Sequence, residues 1–374
     1  MSANPGGDAD DAIGARWSRR MVMSAAGAGL LAFGAPAFAR TRVVNVRKFG
    51  ARGDGRNDDT QGLQAAIDAV GEGGGIVEVP AGDYLVDTLR NPIFKGGVLL
   101  RSGVHLRMAR GAKLRAIPTE AERSYVLVLQ DIADVRITGG EIIGDRDRHL
   151  GHGGEWGHGI AVRGAERLVI DGTRVSRCWG DGISLGSGKV NGQVTLARDI
   201  EIRRVTCVGN RRQGLTIGRV RGVRVYDSEF SDTHGTAPAA GIDVEPDGPQ
   251  TATDVLIQRC TMRRNRGPGL QVWKLVSGVT VRDCTIEDNH NTGILVSGGT
   301  DIRIEGNRIR DNGTVGIALR KKTERVSIAG NTFSGNAPGR PRAAKGGRDP
   351  RWARHLEVTA DSGGVRIAPD NRLD

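Results

Sequence analysis

The stretch GILVSGGTDIRIEGNRIRDNGTVGIAL, residues 293–319, contains the pattern that decides the fold of this chain. A glycine opens a short strand of alternating polarity, a second alternating strand follows, and a polar turn leads to the next glycine. Alternation with a period of two places every second side chain on one face of a strand. A unit of about 25 residues cannot bury that face alone, so we expect several units to stack.

The same unit recurs along most of the chain, which predicts a repetitive all-β fold. Alternating strands such as DIEIRRVTC (residues 199–207) lie between the glycine strands. The architecture that this pattern predicts is a single-stranded right-handed parallel β-helix, a solenoid with coils about 4.8 Å apart. Leucine-rich repeats have similar periods, but their Leu-x-x-Leu-x-Leu pattern is absent. The glycine strands begin at Gly159, Gly182, Gly214, Gly241, Gly269, Gly293 and Gly316.

Asparagine and cysteine also recur at fixed places in the units. An asparagine often precedes the next glycine strand, and we expect it to adopt the left-handed conformation that tight turns require. Cys260 and Cys284 occupy the same place in adjacent units, so we expect stacked, buried thiols rather than a disulfide. The asparagines are Asn210, Asn265, Asn289, Asn312 and Asn336.

The segment before the repeats predicts a helical cap. Its sequence, residues 43–86, opens with a strand and continues with Asp-Asp-Thr at residues 58–60, which can cap a helix. Leu63, Ile67 and Val70 then form one apolar stripe. We expect this α-helix to cover the open end of the β-helix.

The N-terminus predicts export. Residues 1–39 combine paired arginines at 18–23 with a short apolar run and an Ala-Phe-Ala cleavage site, as in a twin-arginine signal peptide. The predicted organisation is this signal, a β-helix domain over 40–337, and a basic C-terminal tail over 338–374 with a possible last irregular coil. Because the apolar run is too short for a good membrane span, we expect a periplasmic or secreted protein with no membrane partner.

Charge and composition restrict the classes of partner. The formal net charge is +11, which favours anionic partners such as acidic polysaccharide or nucleic acid. The basic residues are scattered and no recognition motif is present, so we expect no nucleic-acid partner. The four cysteines form no C-x-x-C motif, which argues against a zinc ribbon or a redox site.

The opening FGARGDGRNDDTQGLQAAIDAV, residues 49–70, resembles the N-terminal signature of the pectate-lyase superfamily of β-helix proteins. That group includes rhamnogalacturonases, polygalacturonases and epimerase-like enzymes, and with the repeats the resemblance extends over residues 43–336. The resemblance implies the fold, a carbohydrate ligand, and a monomer or homotrimer, but no single reaction. The polygalacturonase pattern is not followed, since Gly-His-Gly at 157–159 comes early and only a lone Asp181 follows.

Asp243 and Glu245 are the candidate catalytic pair. Strand alternation would bury Ile242 and Val244 and place both acids on the outer face, with Cα atoms roughly 6.5 Å apart. One acid could donate a proton while the other acts as base or nucleophile in glycosidic cleavage. Aligning the coils predicts an outward ladder through Ala161, Ser184, Thr216, Asp243, Gln271, Leu295 and Ala318. A second ladder runs through Arg163, Gly186, Gly218, Glu245, Trp273, Ser297 and Arg320.

Further candidates surround this pair. Asp181 is expected to be a weaker partner, more than about 10 Å away. Loops before the glycine strands add possible site residues, namely Glu155, His158, Asp232 and His234. The candidate substrate ligands are Trp273, Trp179, Trp156, Gln271, Thr216, Lys274 and Arg163. We predict no metal site, because the spacing of the histidines around residues 149–158 is loose.

Three functions remain open from the sequence. The leading hypothesis is an exported enzyme that cleaves glycosidic bonds of a poly- or oligosaccharide by hydrolysis or transfer, with Asp243 and Glu245 as acid and base. The second is a lyase or epimerase acting on a uronate-containing glycan, in which Asp243, Glu245 and Asp247 could hold Ca²⁺ and Lys274 or Arg163 could act as base or charge clamp. The third is a glycan-binding protein without catalysis. Only the lyase alternative brings a cofactor, the calcium ion.

Overall fold

Each coil of the chain contributes strands to parallel sheets that run the length of the stack. The computed structural model describes residues 42–71, 73–94, 96–246, 248, 251–339 and 350–373. Within these ranges the predicted right-handed parallel β-helix with an N-terminal α-helix is confirmed. The signal peptide predicted for 1–39 lies outside the described residues, as do residues 340–349 of the predicted tail.

Three sheets, here called sheets 1 to 3, form the walls of the stack. Sheet 1 contains the strands Val43–Asn45, Gly75–Val79, Val104–Met108, Ala133–Thr138, Glu166–Asp171, Ala197–Arg203, Val220–Tyr226, Ala252–Gln258, Val276–Arg282, Thr300–Glu305, Glu324–Ala329 and Arg366–Ile367. Sheet 2 contains the strands Asp54–Asp58, Gly82–Val86, Ala112–Ala116, Glu141–Ile143, Arg174–Ser176, Thr206–Val208, Glu229–Ser231, Thr261–Arg263, Thr285–Glu287, Arg308–Arg310, Thr332–Ser334 and Arg372–Leu373. Sheet 3 contains the strands Gly96–Leu99, Arg123–Gln130, Trp156–Arg163, Ile183–Gly186, Leu215–Ile217, Ile242–Val244, Leu270–Val272, Ile294–Ser297, Ile317–Arg320 and Leu356–Val358.

The core fills the space between the three sheets. Ile242 and Val244 point into it and are fully buried, as the alternation predicts. In register, Ile242 lies between Leu215 and Leu270 of the neighbouring coils. Removing such a buried side chain costs about 2–5 kcal/mol, so the alternating pattern both selects and stabilises the stack.

The helix α1 (Thr60–Ala69) closes the N-terminal end of the core. Leu63, Ile67 and Val70 are buried against the first coils, which confirms the predicted apolar stripe. The carboxylate of Asp58 accepts the backbone N–H of Thr60 at 2.9 Å. Short 3-10 helices cover Val46–Phe49, Arg146–Arg148 and Pro350–Arg354. No helix in the described part of the chain is long and apolar enough to cross a membrane.

The recurring asparagines form a ladder inside the turns, and the prediction that they adopt the left-handed conformation is wrong. Nδ2 of Asn265 donates to Oδ1 of Asn289 at 2.9 Å, and Asn289 and Asn312 continue the series toward Asn336 at 3.0 and 2.8 Å. The left-handed residues come directly before them, namely Arg264, Asp288 and Asp311. Because the residue before each asparagine adopts the left-handed conformation, the asparagine amide points inward, where it forms hydrogen bonds with buried backbone groups.

The predicted arrangement of thiols is confirmed. Cys260 and Cys284 are buried and unbridged, and the backbone nitrogen of Cys260 lies 3.5 Å from Sγ of Cys284. At the C-terminal end, Leu356–Val358, Arg366–Ile367 and Arg372–Leu373 each add a strand to one sheet. These strands fall within residues 338–374, where the sequence suggested a tail with a possible last irregular coil.

Many surface arginines pair with an acid one coil away. Arg259 meets Asp227 at 2.7 Å, and Arg325 meets Asp301 at 2.8 Å. Such exposed pairs stabilise a protein by less than about 1 kcal/mol each. They neutralise part of the basic excess on the turns, so the net positive charge says little about where an anionic partner binds.

A two-stranded antiparallel hairpin, Gly188–Val190 with Gln193–Thr195, interrupts this regular pattern. It follows the sheet 3 strand Ile183–Gly186 and stands at the edge of the site described next.

Candidate functional site

A cleft of about 340 Å³ opens on the outer face of sheet 3. The strands Arg123–Gln130 and Trp156–Arg163 have eight residues each, whereas the next strand has four, so their N-terminal parts extend beyond it. This extension forms one wall of the cleft. The polar and aromatic residues that line the cleft are Arg123, Tyr125, Trp156, His158, Arg163, Asp181, Ser184, Ser187, Arg212, Thr216, Arg219 and Glu245.

The predicted first ladder is confirmed by the strand register. Thr216 pairs with Asp243, and Asp243 pairs with Gln271, each one coil further along sheet 3. Ala161 and Ser184 pair in the same way at the preceding coils. The glycine-based alignment therefore placed these side chains on one face in the correct order.

Asp243 lies on that face but is covered, which the alignment did not predict. Its side chain is fully buried and accepts hydrogen bonds from Nε2 of Gln213 at 2.8 Å and Nε2 of Gln271 at 3.2 Å. Burial raises the pKa of Asp243 well above its usual range, and the neighbouring charge of Glu245 raises it further. Asp243 is therefore a buried carboxyl beneath the site that holds a proton more tightly than an exposed one, in hydrogen-bonding contact with Glu245.

Glu245 is the member of the predicted pair that lines the cleft. Its backbone N–H donates to the carbonyl of Ile217 at 3.0 Å, which fixes its position beyond the end of the strand. Gly218 of the preceding coil also lines the cleft. The two predicted acids thus differ in access, with one in the cleft and one below it.

His158 and Tyr125 form a stacked pair on the floor of the cleft. They are register neighbours on adjacent strands, with ring centroids 5.1 Å apart and an interplanar angle of 7°. Nδ1 of His158 accepts the backbone N–H of Asp181 at 3.0 Å. Burial, with nearby arginines, lowers the pKa of His158 well below its usual range, so the ring is neutral and Nε2 carries its proton.

Asp181 is the centre of a polar network. Its Oδ2 accepts a hydrogen bond from Oγ1 of Thr216 at 2.9 Å, and Nη1 of Arg212 lies 3.4 Å from its Oδ1. Burial raises the pKa of Asp181 to about 6, although Arg212 and Thr216 act in the opposite direction. Nε of Arg212 also lies 3.3 Å from Glu155, so this guanidinium joins two of the predicted acids. Asp181 was expected to stand apart from the pair, yet it bonds to Thr216, the register neighbour of Asp243.

Four arginines surround the cleft. Arg163 is held by the carbonyls of Val162 and Ser184 at 2.8 and 2.9 Å. Nη1 of Arg123 lies 3.5 Å from the Tyr125 hydroxyl. The other two are Arg212 and Arg219. A concave surface with this charge attracts an anionic ligand.

The three predicted tryptophans have different environments. Trp156 lines the cleft, is 37% exposed, and has Arg123 4.9 Å from its ring centroid. Trp179 stacks on His149 with ring centroids 3.9 Å apart and has Arg211 3.8 Å from its ring centroid, and its contact with a sugar stays a prediction. Trp273 lies one coil beyond Glu245, and Lys321 approaches its ring at 4.3 Å.

Several other candidates lie outside the cleft. Oδ atoms of Asp232 pair with Arg264 at 2.8 Å, which lowers the pKa of Asp232, and His234 bonds to the backbone of its own loop. Gln271 is buried and supports Asp243 instead of reaching a ligand. Lys274 is exposed beyond the cleft. Asp232 and His234 were assigned to the site from loop position alone, which does not determine the direction of a side chain.

The calcium hypothesis involves Asp243, Glu245 and Asp247. Among the described residues, no group of three or more His, Cys, Asp or Glu side chains is arranged to hold one. Both carboxylate oxygens of Asp243 already accept amide hydrogens. Asp247, the third acid of the calcium hypothesis, lies outside the described residues.

Sequence reasoning missed Arg123, Tyr125, Arg212 and Arg219. Tyr125 lies in a strand that lacks the opening Gly-apolar-x-apolar pattern, so the alignment did not extend to its coil. Arg212 stands two residues before Gly214, close to the place that Asp181 occupies before Gly182. A search for polar residues just before each glycine would have found it.

Comparison with known proteins agrees with this architecture. Residues 190–349 match the family model described as right-handed beta helix region, and residues 43–95 match rhamnogalacturonase A/epimerase, pectate lyase-like. The A-module of mannuronan C-5 epimerase AlgE4 from Azotobacter vinelandii superposes with a TM-score of 0.59 at 19% identity, covering 89% of this chain and 100% of that module. Over these residues the chain is therefore similar to the pectate-lyase-like β-helix proteins, and the solved module has the same fold.

Two curated relatives are similar over most of the chain. The uncharacterized protein YclG of Bacillus subtilis is 28% identical over 79% of this chain and 56% of its own length. Mannuronan C5-epimerase AlgE3 of Azotobacter vinelandii is 27% identical over 76% of this chain and 14% of its own length. The chain therefore spans about half of the first relative and a small part of the second.

Proposed function

We propose that the protein acts on a uronate-containing polysaccharide as a lyase or epimerase, by removing the proton next to the uronate carboxylate. The observation that carries this proposal is the cleft in which four arginines surround Tyr125, His158 and Asp181. The similarity to a mannuronan C5-epimerase over 76% of the chain supports it.

The arginines would neutralise the substrate carboxylate. Removing a proton from the adjacent carbon creates negative charge that spreads onto the carboxylate, and fixed cations stabilise that charge. Arg163 is suited to this role because two backbone carbonyls and Ser184 hold it in place before substrate binds.

Tyr125 and His158 would transfer the proton. Tyr125 in its phenolate form is the candidate acceptor, and Nη1 of Arg123 lies 3.5 Å from its oxygen. His158 presents Nε2–H, because Nδ1 is occupied by the Asp181 backbone, and is the candidate donor. In an epimerase the proton returns to the opposite face of the carbon. In a lyase the electron pair forms a carbon–carbon double bond and the glycosidic oxygen leaves.

Solvent deuterium distinguishes this chemistry from hydrolysis. The purified protein would be incubated in D₂O with polymannuronate, polygalacturonate and a neutral glucan, and the products examined by NMR and ultraviolet absorbance. We expect deuterium at the carbon next to the carboxylate, or an unsaturated sugar, with the uronates only. New reducing ends with neither signal would contradict the proposal.

Hydrolysis or transfer by the carboxylate pair remains a second candidate. The raised pKa of Asp243 and its contact with Glu245 favour it, because a proton donor beside an accessible carboxylate is the arrangement of a glycosidase. The burial of Asp243 makes it the less supported function, since the acid must reach the leaving oxygen.

We also propose export through the twin-arginine route and action outside the cytoplasm, on the basis of residues 18–23 and 37–39. Detection of the mature protein in a periplasmic fraction, and its loss when both arginines are replaced by lysine, would test this. The monomer or trimer suggested by the resemblance stays a prediction for sedimentation measurements.

A further inference from the structure

The outward ladder of sheet 3 changes polarity along the stack. In the first coils it consists of Leu99, Val128 and Ala161, which are register neighbours. Over the next four coils it is polar, with Ser184, Thr216, Asp243 and Gln271, before it returns to Leu295 and Ala318. Val128 and Ala161 also form an apolar cluster with Tyr125 that is separate from the core. The floor of the outer face thus passes from apolar to polar at the cleft.

A cavity of about 550 Å³ lies over the apolar part of this ladder. Phe94, Leu99, Val128 and Ile132 line it, and we call these four residues the apolar subsite. Arg101 and Asp68 are also at its wall, but Nε of Arg101 lies 2.6 Å from Asp68, so their charges offset each other. Among the described lining residues no other charged side chain is present.

A groove connects the apolar subsite with the cleft. The groove has a volume of about 380 Å³ and shares Phe94 and Val128 with the apolar subsite. It shares Tyr125 and Arg163 with the cleft. Ile93, which is 82% exposed, lies along the same groove. One polysaccharide chain could therefore occupy the cleft and the apolar subsite together.

We propose that the apolar subsite binds an acyl ester group carried by a sugar of the substrate chain, the class to which O-acetyl groups belong. The inference rests on the proposed function for the identity of the polymer. An unsubstituted uronate would bring its carboxylate against Leu99 and Val128, where an unpaired charge is costly. An uncharged acyl group would instead bury its carbon atoms against the same side chains, which is favourable.

Equilibrium binding tests the inference without turnover. An O-acetylated uronate oligosaccharide and the same material after mild saponification would be titrated calorimetrically into wild type and into the His158→Gln variant. Burial of one acetyl group predicts about five- to tenfold tighter binding of the acetylated form. Equal affinities for the two forms would overturn the inference.

Variants locate the preference. Phe94→Ala and Ile93→Ser should reduce the ratio of the two affinities toward one. Ile367→Ser, which changes an exposed isoleucine at the other end of the stack, should leave it unchanged. Because Ile93 is exposed, its variant should fold even if Phe94→Ala does not. A preference that survives in Ile93→Ser and in folded Phe94→Ala would place acyl recognition elsewhere and overturn the assignment.

The outcomes separate the two proposals. Absence of turnover on every uronate polymer, with the binding preference intact, would remove the proposed function and leave the acyl subsite. Turnover of a uronate polymer with equal affinity for both oligosaccharides would support the proposed function and remove the acyl subsite. Sedimentation that shows a dimer dissociated by Ile93→Ser, together with no acyl preference, would assign the surface to a second copy of the chain.

Discussion

Nδ1 of His158 accepts the backbone N–H of Asp181 at 3.0 Å, and this single bond decides which ring nitrogen carries the proton. The neutral imidazole therefore has Nε2–H available as a donor, and it is stacked on Tyr125 at the floor of the cleft. A backbone donor holds the ring tautomer in place independently of the ionisation of the Asp181 side chain.

Replacing His158 by glutamine should abolish most of the activity. Glutamine keeps a hydrogen-bond donor but cannot transfer a proton, so we expect kcat to fall about 10²- to 10⁴-fold. His234→Gln is the matched control, because the His234 side chain is exposed and its Nδ1 bonds to the Asp232 carbonyl of its own loop. Initial rates on the uronate polymer give kcat for both variants. An equal loss of kcat in His158→Gln and His234→Gln would show that His158 has no chemical role.

The stability of the protein should depend on pH through Asp181. Its folded-state pKa of about 6 exceeds the ordinary value of 3.8, so the folded protein holds this proton more tightly than the unfolded chain. The stabilisation is fully present below pH 3.8 and is lost as the pH rises through about 6. Two pKa units correspond to about 3 kcal/mol, so Asp181→Asn should gain up to that amount relative to wild type between pH 4 and pH 7.

Urea denaturation at each pH measures this difference. Asp232→Asn serves as a control of opposite sign, since the pKa of Asp232 is lowered by its pairing with Arg264. That pairing stabilises above the ordinary pKa and is lost as the pH falls. A constant difference between wild type and Asp181→Asn over the range would contradict the raised pKa.

The two acids of the predicted pair should respond differently to amide substitution. Asp243 is buried and its pKa is raised, so the uncharged Asp243→Asn variant should cost about tenfold or less in kcat. Glu245 lines the cleft, and Glu245→Gln should cost about 10² or more if the carboxylate contacts substrate. Measuring kcat of Asp243→Asn and Glu245→Gln on the same polymer provides the comparison. A loss of about 10⁴ in Asp243→Asn would instead favour hydrolysis with Asp243 as the acid.

Substrate charge should be recognised by Arg163. We expect Arg163→Gln to weaken binding of a uronate oligosaccharide about tenfold or more, and to leave binding of the carboxyl-reduced oligosaccharide nearly unchanged. Arg325→Gln removes the same charge from a surface pair with Asp301 and should change neither affinity by more than about twofold. Calorimetric titration in low and moderate salt provides the comparison. An equal loss of affinity for the two oligosaccharides in Arg163→Gln would show that Arg163 does not bind the carboxylate.

The asparagine ladder should be a main determinant of stability. Nδ2 of Asn312 donates to Asn336 at 2.8 Å and to the carbonyl of Ile286 at 3.1 Å, and its Oδ1 accepts from Asn289. Asn312→Ala leaves these buried groups unsatisfied and should lower the free energy of unfolding by about 2–4 kcal/mol. Asn291→Ala, at an exposed position where Oδ1 accepts from Thr292 and Thr314, should cost less, about 1 kcal/mol. Similar losses in urea denaturation would contradict the ladder's role.

The sequence predicted the repeat well because the repeat is a local pattern. Glycine spacing and strand alternation placed Thr216, Asp243 and Gln271 in the correct register. The burial of Asp243 could not be predicted in this way, since it depends on Gln213, which reaches over from a turn in another coil. A ladder alignment gives the direction of a side chain relative to the sheet but not what covers it.

The cationic character of the site was also beyond the alignment. Arg123 and Tyr125 come from a strand without the glycine signature, and Arg212 comes from a turn. Their convergence is set by the different lengths of neighbouring strands and turns, which break the repeat. Loop position alone also gave no direction for the side chain of His234, because the environment of a loop side chain is set by non-local packing.

The walls of the cleft belong to different coils. The site therefore requires a set number of coils between Tyr125 and Glu245, whereas it sets no number beyond Trp273. Inserting or deleting one whole unit between Tyr125 and Glu245 would displace one half of the site by about 4.8 Å, the distance between neighbouring strands. A unit added beyond Trp273 would leave the site unchanged, because each coil contacts only its neighbours. Duplication of units should therefore be tolerated after this point, so that proteins with the same site could differ widely in length.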